Sequence, residues 1–242
     1  MSHAQPRFYD EFADWWPLFL PPAHCADAAA DILRRLDPAS PGAKRSLLEL
    51  GSGGGSLASH LGASFHMTLT DRVPAILAVN RQVNPTAEHH LGDMRSLRLG
   101  RTFDVVLIHD AIGYATDLGQ LRATLETAAV HCRPGGRVIV RPDAVQETFR
   151  SATEVGGEDA ADGRGLRYLE WSWDPDPGDA TYLVELAFLF RTANGVVTML
   201  HDRHVQGLFS RADWLATFQA VGLAATASLD PWERDVFLAI KA

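Results

Sequence analysis

Short apolar runs alternate with longer amphipathic stretches through the first 140 residues of the chain. Leu47–Leu50 (LLEL), Phe65–Thr70 (FHMTLT), Phe103–Ile108 (FDVVLI) and Arg137–Val140 (RVIV) have the length and composition of strands, and Thr86–Leu91 is a weaker run of the same kind. Phe103–Ile108 is apolar enough to be a strand covered on both faces. Between these runs lie helical patterns at Ser56–Leu61, Pro74–Val83 and Asp117–His131, the last with Leu118, Leu121, Leu125 and Ala128 on one stripe. Strands alternating with helices predict a parallel sheet with helices on its faces, an α/β fold of Rossmann-like type. Two more strands, Gly222–Ser228 and Asp235–Lys241, follow a helix over Ser210–Val221. With them the sheet has seven strands and is mostly parallel, its last strand antiparallel.

The flanks of this core read differently. Phe8, Tyr9, Phe12, Trp15 and Trp16 fall on one face of a predicted helix over Arg7–Trp16, which Pro17 should end. A second helix is expected over His24–Leu36, then a turn-rich linker, DPASPGAKR, over Asp37–Arg45. After the fifth strand, Ser151–Gly165 reads as a loop. Leu166–Trp173, Thr181–Arg191 and Val196–His204 read as three strands joined by DPDPGD and ANG turns. They predict an antiparallel flap inserted after strand five. The whole chain, 1–242, is expected to be one domain, with 1–36 as a helical lid and 151–205 as the insertion.

Composition narrows the function. The chain has 242 residues, 46% of them hydrophobic, which is ample for one core, and a formal net charge of −8. No basic stripe is visible, so nucleic acid is not an expected partner. Cys25 and Cys132 have no metal-ligand spacing, and no other metal-ligand set appears. No secretory leader pattern and no membrane-spanning apolar run occur in the sequence, so a reduced, cytoplasmic setting is expected.

The candidate chemistry centres on Leu47–Leu61, LLELGSGGGSLASHL. Glu49 ends the strand, and Gly51, Gly53, Gly54 and Gly55 follow, with Ser52 inside the turn. Such a turn lets a ligand lie against bare backbone at a helix start. A dinucleotide fingerprint would place glycine or alanine at the third position, where this chain has Ser56. Asp71, about 20 positions on and followed by Arg72, is placed to accept from two ribose hydroxyls. Dinucleotide and S-adenosylmethionine (SAM) sites share that device, and an N-cap role ahead of Pro74 is open as well. His109, Asp110 and Tyr114 lie beyond the fourth strand, where open α/β sheets bind ligands.

Glu49-x-Gly51-x-Gly53-x-Gly55, Asp71, Gly92-Asp93-Met94, His109-Asp110 and RPGG, taken in order, resemble class I SAM-dependent methyltransferases over Leu47 to Val140. The N-terminal YDEFADWW and His204–Arg211 (HVQGLFSR) extend the likeness, more loosely, to small-molecule enzymes that include amino-sugar N-methyltransferases of antibiotic pathways. The resemblance implies SAM as cofactor. Glu49 and the turn would face its amino-acid end, Asp71 and Arg72 its ribose, Asp93 its adenine amine, and Met94 the ring. His109 counts into both the cofactor set and, with Asp110 and Tyr9, the catalytic set: Tyr9 would approach the reactive methyl group, while the proton acceptor or amine holder is sought among His109, Asp110, Tyr114 and His204. Tyr9, Tyr114 and His204 would meet a small-molecule acceptor. The D/N/S-P-P-Y/F/W motif of adenine-amino methyltransferases is absent after strand four, which argues against DNA base methylation. O- or C-methylation, an NAD(P)-dependent oxidoreductase and a non-catalytic SAM-binding protein are the competing readings. A homodimer through the inserted strands is also expected.

Overall fold

The computed structural model describes residues 6–36 and 44–242. Residues 37–43 of the expected linker lie outside the described set, as do residues 1–5 of the expected lid. Eleven strands occur among the described residues: β1 (Arg45–Leu50), β2 (Phe65–Asp71), β3 (Glu88–Leu91), β4 (Phe103–His109), β5 (Cys132–Arg141), β6 (Ala152–Gly156), β7 (Gly165–Trp173), β8 (Thr181–Arg191), β9 (Val197–Gly207), β10 (Leu223–Leu229) and β11 (Asp235–Lys241).

Seven of them form one sheet in the order β10-β11-β5-β4-β1-β2-β3. Neighbours from β5 to β3 pair parallel, and β11 runs antiparallel to both β5 and β10. The apolar runs explain the centre: Leu47, Leu48 and Leu50 of β1, and Val105 to Ile108 of β4, are fully buried. Four helices cover the sheet: α2 (Ala26–Arg35) and α3 (Ala58–Leu61) on one face, α5 (Leu118–His131) and α6 (Arg211–Ala220) on the other. α4 (Pro74–Val83) follows β2. Strand order reverses between β1 and β4, and that reversal opens a crevice beyond their carboxyl ends.

Helix ends follow their sequence signals. Asp117 caps α5 by accepting from Gln120 N at 2.8 Å, and Ser210 with Asp213 forms a capping box on α6. Leu118, expected on the buried stripe of α5, is instead half exposed at the helix's first residue.

The inserted strands form a separate antiparallel sheet, β6-β7-β8-β9. It has a fourth strand where a loop was expected: β6 is almost wholly exposed and carries little strand signal of its own. It exists because its backbone pairs with β7 from Ala152↔Ser172 to Gly156↔Tyr168. The inner face of this sheet carries Tyr182, Val184, Leu186, Phe188 and Phe190, all buried.

The N-terminal segment packs on that face, and it is not the single helix expected. Two short 3-10 turns, Arg7–Tyr9 and Ala13–Trp15, lead into one turn of α-helix, α1 (Trp16–Phe19). Tertiary contacts override the helical period here. Phe8 stacks on Phe188 with centroids 4.5 Å apart, Phe12 stacks on Phe190 at 4.7 Å, and Phe8 N donates to Asp202 Oδ2 at 2.9 Å. Pro17 does not end a helix but sits in the first turn of α1, where its missing N–H costs nothing.

Candidate active site

At the carboxyl end of β1 the chain turns sharply through Gly51, at φ +72°. A Cβ on Gly51 would come within 2.5 Å of the Ala111 side chain, so the residue must be bare for the loops after β1 and β4 to meet. Two asparagine side chains hold the loop from behind. Asn80 Nδ2 donates to Ser52 Oγ and to Gly53 O, both at 2.9 Å, and Asn84 Nδ2 donates to Gly55 O at 2.9 Å. Trp16 lies on Gly54 from above, where a Cβ would collide with its ring at 2.1 Å.

This loop floors a cleft enclosing about 1130 Å³, solvent at its mouth included. Ligand sites of small-molecule enzymes have this order of size. Glu49, Gly51, Ser52, Gly53, Asp71, Arg72, Asp93, Met94, His109, Asp110, Tyr9 and Tyr114 all border it. Gly55 and His204 do not. Gly55 turns toward Asn80 and Asn84, and His204 is buried behind Tyr114.

Two acids shape the cofactor side. Asp71 Oδ2 accepts from Gly53 N and Oδ1 from Val73 N, both at 3.0 Å. Burial pushes its carboxyl up, and these N–H donors oppose the rise. Asp93 is gripped by Arg95, whose Nε and Nη2 lie 2.9 and 2.5 Å from its carboxylate oxygens; that pairing holds the carboxyl down. Glu49 is a different case. It is 3% exposed and its Oε2 has no partner. Burial, then the neighbouring Asp110 and Asp71, push its carboxyl up to about 8. Such a buried acid is relieved by a cationic or N–H-bearing ligand.

The opposite end is lined by residues from four segments. Asp110 has φ +31°, a strained setting for a residue with a side chain, and its Oδ2 lies 2.9 Å from His109 Nδ1. His109 Nε2 is buried without a partner. The Tyr114 hydroxyl is 3.1 Å from the Tyr9 hydroxyl and 2.8 Å from His204 Nδ1. Burial is the main cause that pushes both phenols up, so both stay protonated.

Sequence reading missed Trp16, Asn80, Asp143 and Gln206. Trp16, Asp143 and Gln206 border the cleft; Asn80 supports its floor. Asp143 could have been found by the rule that singled out His109, since it follows the carboxyl end of β5. Gln206 lies two residues after His204 on β9, on the same face of the strand.

The fold and this cleft can be set beside known proteins. A model of the "Methyltransferase domain" family matches residues 47–136. A dTDP-3-amino-3,6-dideoxy-alpha-D-glucopyranose N,N-dimethyltransferase of Streptomyces fradiae is 33% identical over 201 residues, 82% of this chain and 76% of that protein. The crystal structure of DesVI from Streptomyces venezuelae superposes with a TM-score of 0.81 at 28% identity, covering 96% of this chain and 98% of that one. SAM-bound CalS10, an amino pentose methyltransferase from Micromonospora echinaspora, gives 0.74 at 27% identity, covering 90% and 91%. The cleft fits that cofactor by its own features: bare backbone at Gly51, an acid at the end of β2, and a buried acid with a free oxygen at Glu49. With that fit, and a one-third identical relative matched over most of its length, the chain belongs to the SAM-dependent methyltransferases of class I.

Proposed function

We propose that this enzyme methylates the amine of a small amino sugar, of the kind for which its relatives are named. The carrying observation is the cleft's acceptor end, where His109, Asp110, Tyr9 and Tyr114 meet beyond β4. SAM supplies a methyl group on a sulfonium. In this reading Glu49 takes the cofactor's ammonium, with Gly51, Ser52 and Gly53 offering backbone beside it. Asp71 accepts from the ribose hydroxyls, with Arg72 next to it. Met94 packs on the adenine. Asp93 accepts from its amine while Arg95 fixes the carboxylate. Gly55 shapes the loop through Asn84 without touching ligand. Methyl transfer is an in-line displacement, so alignment supplies most of the rate and only mild proton handling is needed. His109 and Asp110 supply that handling, Tyr9 and Tyr114 orient the acceptor, and His204 positions Tyr114 from behind.

Incubation with SAM and dTDP-3-amino-3,6-dideoxyglucose, beside the sugar with a hydroxyl at carbon 3, tests the reading by mass. Addition of one or two methyl groups to the amine alone supports it. Methylation of the hydroxyl sugar alone refutes it in favour of O-methylation.

Three coarser features belong to the same reading. Residues 1–36 act as a lid and 151–205 as an insertion within one domain, which the contacts of Trp16 and Phe8 support. The outer face of the inserted sheet carries exposed Val155, Trp171, Leu189 and Met199, and a second copy of the chain would cover it. Light scattering on wild type and Met199→Asp tests this; a wild-type monomer refutes it. No helix of the described residues is long and apolar enough to cross a membrane, and we place the enzyme in the cytoplasm.

A further inference from the structure

The acceptor end of the cleft gathers hydrogen-bond acceptors that lack donors. Asp110 comes from the turn after β4, Asp143 from the turn after β5, and Gln206 from β9 of the second sheet. Asp110 Oδ2 is taken by His109, and Oδ1 is buried with no partner but the neighbouring Asp143 carboxyl. Gln206 is 6% exposed and its Oε1 has no donor. That oxygen packs against Gly113, where a Cβ would meet it at 2.1 Å.

The charges around this point are unbalanced. Asp143 is exposed at the cleft, yet partial withdrawal of its carboxyl from water, and then Asp110 itself, push that carboxyl up. Burial acts the same way on Asp110, but His109, Arg141 and a hydrogen bond with Asp143 together hold that carboxyl down. Two neighbouring carboxyls pushed apart in this way titrate as one pair. The facing groups balance this charge only in part. Arg141 on β5 is buried 2.9 Å from Asp230, and its charge lowers the carboxyls of both Asp110 and Asp143 without being the leading influence on either. Glu170 on β7 adds negative charge. Glu49 and Asp71 stand on the cofactor side, Asp202 on β9, and Tyr9, Tyr114 and Tyr182 are phenols held protonated.

We propose that Asp110, Asp143 and Gln206 form an ammonium pocket for the methyl acceptor, and that the carboxylate pair takes the proton the amine must lose. The inference rests on the amine reading above and adds what binds the amine. A bound ammonium donates to the acceptors that lack donors, and the proton shared by the pair leaves to solvent. One ammonium proton then moves onto the pair. The lone pair thus freed on nitrogen forms the N–C bond as the C–S bond breaks, the C–S electron pair staying on sulfur. The methylated nitrogen departs as an ammonium, and a second round needs a fresh SAM in place of SAH and a second proton loss to the same pair. A hydroxyl brings one donor and no charge, so it leaves the pocket unbalanced.

The test uses the full-length enzyme, wild type, Asp143→Asn and Asp143→Ala, loaded with S-adenosylhomocysteine (SAH) for ¹³C-aspartate NMR titration and with SAM for turnover of the two sugars named above. In wild type, two aspartates should titrate as a coupled pair, one of them above the ordinary carboxylate range, and Asp143→Asn should abolish the coupling. Both variants should lose about 100-fold in kcat/KM for the amino sugar, with the pH profile altered and SAH affinity unchanged. Amine turnover within twofold of wild type in Asp143→Asn, or an Asp143 that titrates as an isolated ordinary carboxylate, overturns the pocket while leaving amine methylation standing. Preference of the wild type for the hydroxyl sugar overturns the amine reading itself. If neither sugar is methylated, the titration alone decides for or against the pocket.

Discussion

Replacing Asn80 by alanine should loosen the cofactor loop and destabilise the fold together. Asn80 is fully buried on α4, and its side chain makes four hydrogen bonds. Nδ2 gives one bond to Ser52 Oγ and one to Gly53 O, while Oδ1 faces Asn84 Nδ2 at 3.0 Å and His89 Nε2 at 3.2 Å. Ser52 keeps a bond after the change, because its hydroxyl also donates to Thr70 O. Gly53 O loses its Asn80 donor at a half-buried position. Buried bonds are worth about 1 kcal/mol each net, and a stranded buried acceptor costs about 1–3 kcal/mol, so a total loss of about 4 kcal/mol is expected. For a domain of this size that lowers Tm by about 10 °C. SAH affinity should fall about tenfold, since the carbonyl and amide of Gly53 set the loop that meets the ligand. Asn80→Asp keeps the volume but turns two donors into acceptors facing acceptors, and should do at least as much harm. Calorimetry and thermal melts with and without SAH are the assays. A fall in Tm below about 2 °C together with unchanged SAH affinity would refute the reasoning.

Asp71→Ala should cost about 100-fold in SAH affinity by titration calorimetry, because one carboxylate is asked to serve two hydroxyls; unchanged affinity would remove the ribose assignment. Glu49 gives a pH signature. Its carboxyl is raised to about 8 in the fold, so its contribution to stability is complete below the ordinary carboxylate range and is lost as pH rises through about 8. Glu49→Gln should therefore flatten the fall in Tm of the ligand-free enzyme between about pH 5 and 8, and parallel curves would contradict that. Asp230→Ala strands the buried Arg141 guanidinium and should cost about 3–5 kcal/mol in a denaturant titration, whereas a loss under about 1 kcal/mol would show that solvent reaches Arg141.

The central sheet was legible because burial on both faces leaves a strong trace, as in FDVVLI of β4. Capping chemistry made the start of α6 legible at Ser210. The choice of SAM over a dinucleotide was legible too, through Ser56 in the turn and Asp93-Met94 after β3. What escaped were features set by distant partners. The N-terminal aromatics have helical spacing, yet Phe8 and Phe12 stack on Phe188 and Phe190, and that packing dictates the backbone. β6 has no strand pattern and owes its form to the open edge of β7. Asn80 reads as an ordinary helix residue until the glycine loop is folded against it. His204 was expected at the acceptor; it shares a face of β9 with Gln206, but Tyr114 stands over His204 and Gln206 alone borders the cleft.

Ser56 marks the point where the glycine turn departs from a dinucleotide fingerprint, and its contacts give that departure a purpose. Its hydroxyl donates to Leu20 O at 2.6 Å and accepts from Trp16 Nε1 at 3.1 Å. Two residues earlier, the Trp16 ring occupies the space a side chain on Gly54 would need. Positions 16, 54 and 56 thus behave as one lock between the N-terminal segment and the loop. Gly54 is the keyhole, Trp16 the key and Ser56 the latch. A glycine at 56 would restore the dinucleotide spacing and at the same stroke release the roof of the cleft, so the loop cannot drift toward the other cofactor class without first giving up its cover.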